Sequence, residues 1–286
     1  MTSFIRLRRA AAVVAAAAAT ALTLSACAFA GTTPAASEAG SGELTTFTAG
    51  KLTIATGQPA FEPWVIDDDP SSGKGFESAV AYAVADKLGF AHDDVVWVRS
   101  TFDSAIAPGA KDWDLNIQQF SVTDERKQAV DFSSPYYTTT QAVVTTSSSP
   151  AAAATSIAAL KDQTVGVAAA TTSYTAAAEK LGTAKLSVFN SNDDAVAALQ
   201  SGQIDAIVVD LPTAFYLAGA VIDGGKVLGQ FADSSAGGDE LAFVLPKGSA
   251  LTDPVSAAVD ALRADGTLDG LAKTWLSDAV NVPVLS

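Results

Sequence analysis

The sequence predicts an α/β protein of two lobes, each a mostly parallel sheet flanked by helices. Short apolar runs alternate with amphipathic helical stretches from Lys51 onward, and the same alternation restarts after the break SSSP at 147–150. Strand, helix and strand at this spacing are typical of right-handed βαβ units in a parallel sheet. The 236 residues after position 50 suit one large or two small domains.

The individual elements follow from apolar runs and helix end signals. In the first lobe, strands are predicted at 52–56 and 95–98, and helices at 75–88, ended by Gly89, and at 102–107. In the second lobe, strands are predicted at 164–168, 185–189 and 205–210, and helices at 173–181 and 193–200.

The stretch 114–137, DLNIQQFSVTDERKQAVDFSSPYY, predicts a site for a carboxylate. A buried strand at 114–119 would lead into a short helix carrying Arg126, with Ser121 and Thr123 where that helix begins. Helix starts attract anions, and an arginine fork can bind a carboxylate through two hydrogen bonds. The alternative is that Thr123 only caps the helix and that Arg126 is a solvated helix residue.

The N-terminal region predicts secretion and a lipid anchor. Residues 1–26 combine three arginines with an Ala/Val-rich run, which is typical of a signal peptide. The run ends in LSAC, a lipobox pattern, so Cys27 is the predicted lipidation site; the alternative is a plain secretory signal. Residues 27–50 lack periodicity and predict a flexible tether.

Charge and residue counts exclude several classes of function. The formal charge is −14, and loss of the three signal-peptide arginines makes it −17, which argues against nucleic acid as a partner. Cys27 is the only cysteine and His92 the only histidine. We therefore expect no cysteine or histidine chemistry, no metal site and no cofactor in the folded part.

Two stretches resemble a known family. SVTDERKQAVDFSSPYY and the segment 238–276 resemble the family 3 solute-binding proteins, and the likeness extends from Lys51 to Leu276. It implies a type II periplasmic-binding-protein fold with a two-strand hinge at 142–148 and 240–245. The lobes would then be 51–145 and 146–239, with 240–286 returning to the first lobe as two C-terminal helices.

The resemblance also implies charged contacts to a ligand in the cleft. Arg126 matches the arginine that holds an α-carboxylate, and Asp210 matches the acid that holds an α-ammonium group. Thr171 and Thr172 lie in the turn that presents N–H and hydroxyl groups to the carboxylate. For Asp210, helix capping is the alternative role.

Further cleft residues are implied on the first lobe. Ser121 and Gln119 would face the ligand, although family members usually have a small residue where this chain has Gln119, so a structural role is its alternative. Phe61 and Phe102 resemble the aromatics that enclose the ligand side chain, with Trp64 nearby. Core packing is the alternative for all three aromatic residues.

The implied function is that of an extracytoplasmic receptor for an ABC importer, binding an α-amino acid with a polar side chain or a close derivative of one. Many relatives carry an aspartate where this chain has Gly57–Pro59, which weakens the case for a basic ligand. The expected partners are a membrane permease and the membrane through the lipid anchor, on the outer face of the cytoplasmic membrane, with the protein monomeric. The rival prediction is an enzyme on the same fold, a dehydratase of prephenate-like substrates.

Overall fold

Two mixed β-sheets and one small sheet form the framework of the chain. A computed structural model describes residues 44–183, 185–232, 238–276 and 282–286. The strands are β1 Leu52–Thr56, β2 Val95–Arg99, β3 Leu115–Asn116, β4 Val130–Phe132, β5 Tyr137–Thr139, β6 Gln141–Thr146, β7 Val165–Ala168, β8 Leu186–Phe189, β9 Ala206–Asp210, β10 Gly225–Phe231, β11 Asp239–Leu241, β12 Val244–Pro246 and β13 Val284–Leu285.

Eight α-helices lie in the described ranges. They are α1 Phe76–Leu88, α2 Phe102–Ile106, α3 Ile157–Leu160, α4 Thr172–Leu181, α5 Asn192–Gln200, α6 Leu211–Tyr216, α7 Thr252–Ala264 and α8 Thr267–Trp275. Within those ranges no helix is long and apolar enough to cross a membrane. The predicted signal peptide, Cys27 and the tether up to residue 43 lie outside the described residues.

The first lobe is built on a five-stranded sheet in the order β2-β1-β3-β12-β4. β1 is buried along its whole length because it pairs in parallel with β2 and β3 on either side. Helix α1 packs the apolar face of its Ala- and Val-rich sequence onto the core, and α7 and α8 complete that core. The segment predicted to return to the first lobe thus supplies two helices that share this core.

The second lobe is built on a six-stranded sheet in the order β13-β10-β6-β9-β7-β8. The neighbours β9, β7 and β8 are parallel, whereas β6 is antiparallel to both β9 and β10. The expected two-lobed α/β fold is confirmed, but both sheets are mixed. The chain end also differs from expectation, because β13 pairs with β10 and so belongs to the second lobe.

Of the two crossing strands predicted, 142–148 is wrong, whereas 240–245 overlaps the observed strand β11 at residues 240–241. β5 and β11 pair as a separate two-stranded antiparallel sheet, whereas 142–146 lies in β6, inside the second lobe's sheet. The apolar residues at 142–144 are fully buried between β9 and β10, which is where such a run is most stable. The hinge strands are β5 (YTT) and β11 (DEL), which are polar. The hinge and the boundaries between the lobes therefore lie at these two strands.

The N-terminal boundary of the first lobe is also earlier than predicted. Residues 44–50, assigned to the tether from composition, lie against the lobe: Leu44 packs on its core, and the Phe47 N–H donates to Asp114 Oδ1 at 2.6 Å. The same carboxylate accepts from Thr53 N at 2.8 Å. Asp114 therefore ties the entering chain to β1 and β3.

Candidate functional site

A cavity of about 350 Å³ lies between the lobes, at the carboxyl ends of the parallel strands of both sheets. This is where ligands bind in open α/β sheets, and the volume suits one small ligand. Its lining residues are Thr56, Gln58, Pro59, Ala60, Phe61, Thr101, Phe102, Asp103, Gln118, Gln119, Ser121, Arg126, Ala168, Ala169, Thr171, Thr172, Ser173, Asn190, Ser191, Asn192, Asp193 and Asp210. Eight of the nine predicted ligand residues are among them.

Arg126 is buried, and its guanidinium lies in the cavity wall. Nη1 donates to Ser121 O at 2.7 Å, and Nη2 donates to Ala170 O in the second lobe at 2.8 Å. A guanidinium carries five N–H donors, so three remain without a partner among the described residues. Those donors can take both oxygens of a carboxylate.

The helix predicted to carry Arg126 is only one 3₁₀ turn, Arg126–Gln128, and the strand before it is only Leu115–Asn116. Thr123 Oγ1 accepts from Arg126 N at 3.1 Å, the kind of contact that the alternative interpretation expected, but Arg126 is buried and not solvated as that interpretation required. A single turn has little dipole to attract an anion. The predicted helix is therefore wrong, and the guanidinium is the group in this stretch whose donors face the cavity.

Asp210 lies on the second lobe, at the end of β9, and lines the same cavity as Arg126. Its side chain makes no capping hydrogen bond to α6; instead Oδ1 accepts from Gln141 Nε2 at 2.8 Å. Burial, and then the charge of Asp239, raise the pKa of Asp210 to about 7. A ligand ammonium group would stabilise the ionised form.

Gln141 joins two carboxylates, a role that the sequence did not suggest. Its Nε2 donates to Asp210 Oδ1 and to Asp239 Oδ2, each at 2.8 Å. Its Oε1 accepts from Ser173 Oγ at 2.6 Å, which fixes the orientation of the amide. The partners lie 32 to 98 residues away in the chain, so no local pattern could have revealed the cluster.

Small hydroxyl residues meet across the cleft. Ser121 Oγ of the first lobe lies 3.1 Å from Thr172 Oγ1 of the second, where α4 begins. Thr171 is the N-cap of α4: its Oγ1 accepts from Tyr174 N at 3.1 Å and donates to Ala168 O at 2.7 Å. Thr172 therefore has the more available hydroxyl for a ligand, although both threonines line the cavity.

Gln119 lines the cavity but is bound from behind by Glu77. Its backbone adopts φ 48°, its N–H donates to Glu77 Oε1 at 2.7 Å, and its Nε2 donates to Glu77 Oε2. Tyr136 Oη also donates to this fully buried carboxylate, and burial raises the pKa of Glu77 to about 7. The structural role offered as the alternative for Gln119 is therefore present.

Two of the three aromatic residues predicted to contact the ligand line the cavity, and the third does not. Phe61 and Phe102 line the cavity, and the Phe102 ring lies 5.2 Å from Arg126 Cζ, within cation–π range. Trp64 does not line it: the side chain is 0% exposed and packs 6.0 Å from the Phe76 ring. Its carbonyl accepts from Glu77 N at the start of α1, which holds Trp64 under that helix.

Several lining residues were not predicted from the sequence. Asp103 follows β2, Gln118 follows β3, and Asn190, Asn192 and Asp193 follow β8. All come directly after parallel strands, so the rule that ligands bind at strand carboxyl ends could have identified them. In the ranges that the structure describes, no group of three metal-ligating side chains is placed to hold a metal ion.

The fold and the cavity define a class, the two-lobed α/β binding proteins, and sequence comparison identifies the family. The chain belongs to the bacterial extracellular solute-binding proteins, family 3, whose sequence profile matches residues 52–278. The resemblance inferred from the two sequence stretches is thus confirmed.

Three named proteins illustrate the likeness. The L-arginine-binding protein of Pseudomonas aeruginosa is 30% identical over 241 residues, which span 82% of this chain and 91% of that protein. A probable histidine-binding protein of Campylobacter jejuni is 29% identical over 231 residues, spanning 78% and 85%. The solved structure of an ancestral amino-acid-binding protein, a precursor of cyclohexadienyl dehydratase, matches with a TM-score of 0.64 at 30% identity, covering 79% and 95%.

Proposed function

We propose that this protein captures an α-amino acid with a polar side chain outside the cytoplasm and delivers it to an ABC importer. The observation that carries the proposal is the placement of Arg126 and Asp210, one on each lobe, in the wall of a cavity of about 350 Å³. An arginine with donors that are unpaired among the described residues suits an α-carboxylate, and a half-buried carboxylate suits an α-ammonium group.

Placing the two charges on opposite lobes provides a mechanism of capture. An open form would bind the amino acid through one lobe, and closure about β5 and β11 would add the contacts of the other. The ligand favours the closed form only through those added contacts. The hydrogen bond from Arg126 to Ala170 and the contact between Ser121 and Thr172 would close the cavity to water.

The relatives support an amino acid as the ligand class. Two curated relatives are named for binding arginine and histidine, and both align over more than three quarters of this chain. Both amino acids share the α-carboxylate and α-ammonium groups that Arg126 and Asp210 would bind. The identity of the ligand's side chain must then be inferred from the other residues of the cavity wall.

Delivery to a permease and attachment to the membrane complete the proposal. The LSAC sequence at 24–27 supports lipidation of Cys27, which would hold the protein on the outer face of the cytoplasmic membrane. We propose that it acts as a monomer, with a membrane permease as its partner and no nucleic acid. Two or more acyl chains are needed for firm anchoring.

A dehydratase acting on a prephenate-like substrate is the second candidate. Asp210 favours it, because a pKa of about 7 places a carboxylic acid near the ideal value for general acid catalysis in the cavity. The named relatives are binding proteins, although one structural neighbour is called a precursor of a dehydratase. Incubating the protein with prephenate or arogenate and measuring product formation distinguishes the two candidates.

Removal of the guanidinium tests the receptor proposal. In calorimetry against the twenty amino acids, we expect Arg126→Ala to abolish binding and Arg126→Lys to weaken it at least about tenfold, because an ammonium group cannot bind both carboxylate oxygens. Arg263→Ala is the matched control, since Arg263 lies on α7 in the same lobe, pairs with Asp260 and does not line the cavity.

Two outcomes would contradict the proposal. One is that no amino acid binds the wild-type protein; the other is that binding survives in Arg126→Ala with unchanged affinity. Thermal unfolding of each ligand-free variant shows whether it is folded, because Arg126 also makes two hydrogen bonds to the backbone. A saturating ligand should raise the melting temperature of the wild type, since 100 times the dissociation constant adds about 2.7 kcal/mol.

A further inference from the structure

Residues 282–286, which we call the β13 segment, lie on the second lobe although the chain reaches them from the first. Leu276, which follows α8, is buried in the core of the first lobe, whereas Val282 packs against a core of the second. The chain therefore crosses between the lobes a third time, in addition to the crossings at β5 and β11. The family's sequence profile ends at residue 278, so the β13 segment lies outside that match.

The β13 segment is fixed to the second lobe by one buried side chain and by backbone pairing. Strand β13 pairs in parallel with β10, and Ile157 N donates to Ser286 O at 3.3 Å. Leu285 is 1% exposed and packs in the same core as Phe231, whereas Val284 on the same strand is 55% exposed. Leu285 is therefore the side chain that holds the segment in place.

Gly229 of β10 provides the space that the segment occupies. A Cβ at this position would lie 2.6 Å from Pro283 O and 2.7 Å from Leu285 Cγ. The three atoms nearest to that Cβ all belong to Pro283 and Leu285. The close approach of β13 to β10 therefore requires a residue without a side chain at position 229.

Gln230 connects the β13 segment to the hinge. Its backbone N–H donates to Pro283 O at 2.8 Å, and its Nε2 donates to Val282 O at 3.1 Å. Its Oε1 accepts from Thr140 Oγ1 at 2.7 Å, and Thr140 lies directly between the hinge strand β5 and β6. One amide thus joins the end of a hinge strand to the point where the third crossing arrives.

Chain length limits how far the lobes can separate while the β13 segment is bound. Six residue steps join Leu276 to Val282, and an extended chain covers about 3.3–3.6 Å per residue. These two anchors, one on each lobe, can therefore lie at most about 20–22 Å apart. The limit follows from chain length alone, so it applies to the open form as well as to the closed form.

We propose that the β13 segment restrains the opening of the lobes: it stays bound to the second lobe in the ligand-free protein and excludes the widest open conformations. The inference rests on the proposed function, because it presumes capture of a ligand by closure about β5 and β11. A chain that loses its widest open conformations has a less favourable open state. A ligand then needs less differential affinity to shift the population toward the closed form.

Distances between the lobes in the ligand-free protein test this restraint directly. Spin labels at Asp86→Cys on α1 and Glu179→Cys on α4 report the separation of the lobes, in a Cys27→Ser background that leaves no other thiol. Leu285→Asp should release the β13 segment and give longer and more broadly distributed distances than the labelled parent. Gly229→Ala should do the same without any change in the segment, because the added Cβ would displace it.

Val284→Asp is the matched control, because it adds the same charge one residue away, at an exposed position of the same strand. We expect this variant to keep the distances of the parent. A shift equal to that of Leu285→Asp would overturn the proposal, because the added charge and not release of the segment would then be the cause. Parent distances in both Leu285→Asp and Gly229→Ala would also overturn it.

A chain that ends at residue 281 distinguishes release of the segment from damage to β10. Its distances should match those of Leu285→Asp, and adding Gly229→Ala to it should change nothing further, because the segment that the Cβ displaces is gone. Parent distances in the shortened chain would contradict the restraint. A further change on adding Gly229→Ala would show that this substitution acts through β10 itself and would remove its support for the restraint.

Calorimetry against the twenty amino acids separates this inference from the proposed function. Each amino acid that binds the parent should bind Leu285→Asp about two- to fivefold more weakly and Val284→Asp with unchanged affinity. Longer distances with unchanged affinity in Leu285→Asp would show that the restraint does not favour closure. If no amino acid binds any form, the proposed function fails, whereas the distances in the ligand-free protein still decide whether the β13 segment limits opening.

Discussion

The pKa of the Asp210 side chain is determined by opposing effects in the cavity. Burial and the charges of Asp239 and Glu77 raise its pKa, whereas the hydrogen bond from Gln141 and the charge of Arg126 lower it. The balance leaves a pKa of about 7, against an ordinary value of 3.8. The group proposed to bind the ligand's ammonium is therefore only partly ionised at neutral pH.

This pKa predicts a pH dependence of ligand binding. Below pH 7 Asp210 holds a proton that must be lost before it can pair with an ammonium group, so affinity should fall by about tenfold per pH unit. Above pH 7 the carboxylate is ionised, and affinity should be flat until the ligand amine titrates. Calorimetry at pH 5, 6, 7 and 8 measures the effect.

Glu77→Gln is the control for this prediction, because Glu77 also has a pKa of about 7 but does not line the cavity. The variant should keep a pH dependence of binding, with its midpoint at lower pH because the charge of Glu77 raises the pKa of Asp210, and Asp210→Asn should lose the dependence along with most of the affinity. If Glu77→Gln removes the dependence instead, the proton that controls binding resides on Glu77 and acts through Gln119.

At the residue scale, the sequence located two of the four charged cavity residues but neither the other two nor the side chains that support the site. Arg126 and Asp210 were found because each follows an apolar run in a stretch that resembles the family. Glu77 and Gln141 were not found, because their partners are brought together only by tertiary packing, across separations such as the 42 residues between Glu77 and Gln119. Trp64 was predicted to lie near the ligand but is buried in the core. The sequence does not distinguish an aromatic residue that lines a cleft from one that packs beneath it.

At the element scale, each end of helix α1 requires a glycine, but for a different physical reason. Gly75 precedes the helix with φ 99°, and Gly89 ends it with φ 88° in the left-handed region. A Cβ at Gly75 would lie 2.4 Å from Trp64 O, whereas a Cβ at Gly89 would meet nothing within 4 Å. Both positions need a positive φ, but only Gly75 lacks space for a side chain.

Alanine at the two positions should therefore destabilise unequally. Gly89→Ala should cost about 1–2 kcal/mol, the penalty for placing an L-residue in the left-handed region. Gly75→Ala should cost at least about 1–3 kcal/mol more, because the Trp64 backbone must shift and that carbonyl also accepts from Glu77 N. Urea unfolding of the ligand-free domain measures both; equal losses would show that Trp64 moves aside without penalty.

The helices and core strands were largely predictable at this scale, whereas the hinge was not. α1, α5, β1 and β9 lie within one or two residues of their predicted bounds, because each has an apolar pattern and clear end signals. The hinge strands β5 and β11 are short, polar and partly exposed, so periodicity does not mark them. The neighbouring apolar run was chosen instead, and it belongs to the core of the second lobe.

At the scale of the whole molecule, the lobes also meet outside the charged cavity. Trp64 Nε1 of the first lobe donates to Thr213 Oγ1 of α6 in the second lobe at 2.9 Å. Both side chains are buried, Trp64 fully and Thr213 at 8% exposure. Neither lines the cavity, so this bond can stabilise the closed arrangement of the lobes without contacting a ligand.

Thr213→Val should consequently weaken ligand binding from a distance. The variant leaves the Trp64 indole N–H buried without an acceptor in the closed form, at a cost of about 1–3 kcal/mol, whereas in an open form water can reach it. In the proposed mechanism the ligand binds the closed form, so its affinity should fall by about the same factor that closure loses, on the order of tenfold. Thr213→Ser keeps the hydroxyl and should restore the affinity.

Calorimetry gives the affinities, and small-angle X-ray scattering of the ligand-free variants reports the population of open molecules. If closure controls affinity, both quantities change together: Thr213→Val should have the larger radius of gyration without ligand and the weaker binding. An unchanged affinity would mean that the indole N–H finds another acceptor or that closure does not limit binding. A weaker affinity with unchanged scattering and a lower stability would instead place the effect in folding of α6, because Thr213 is part of that helix.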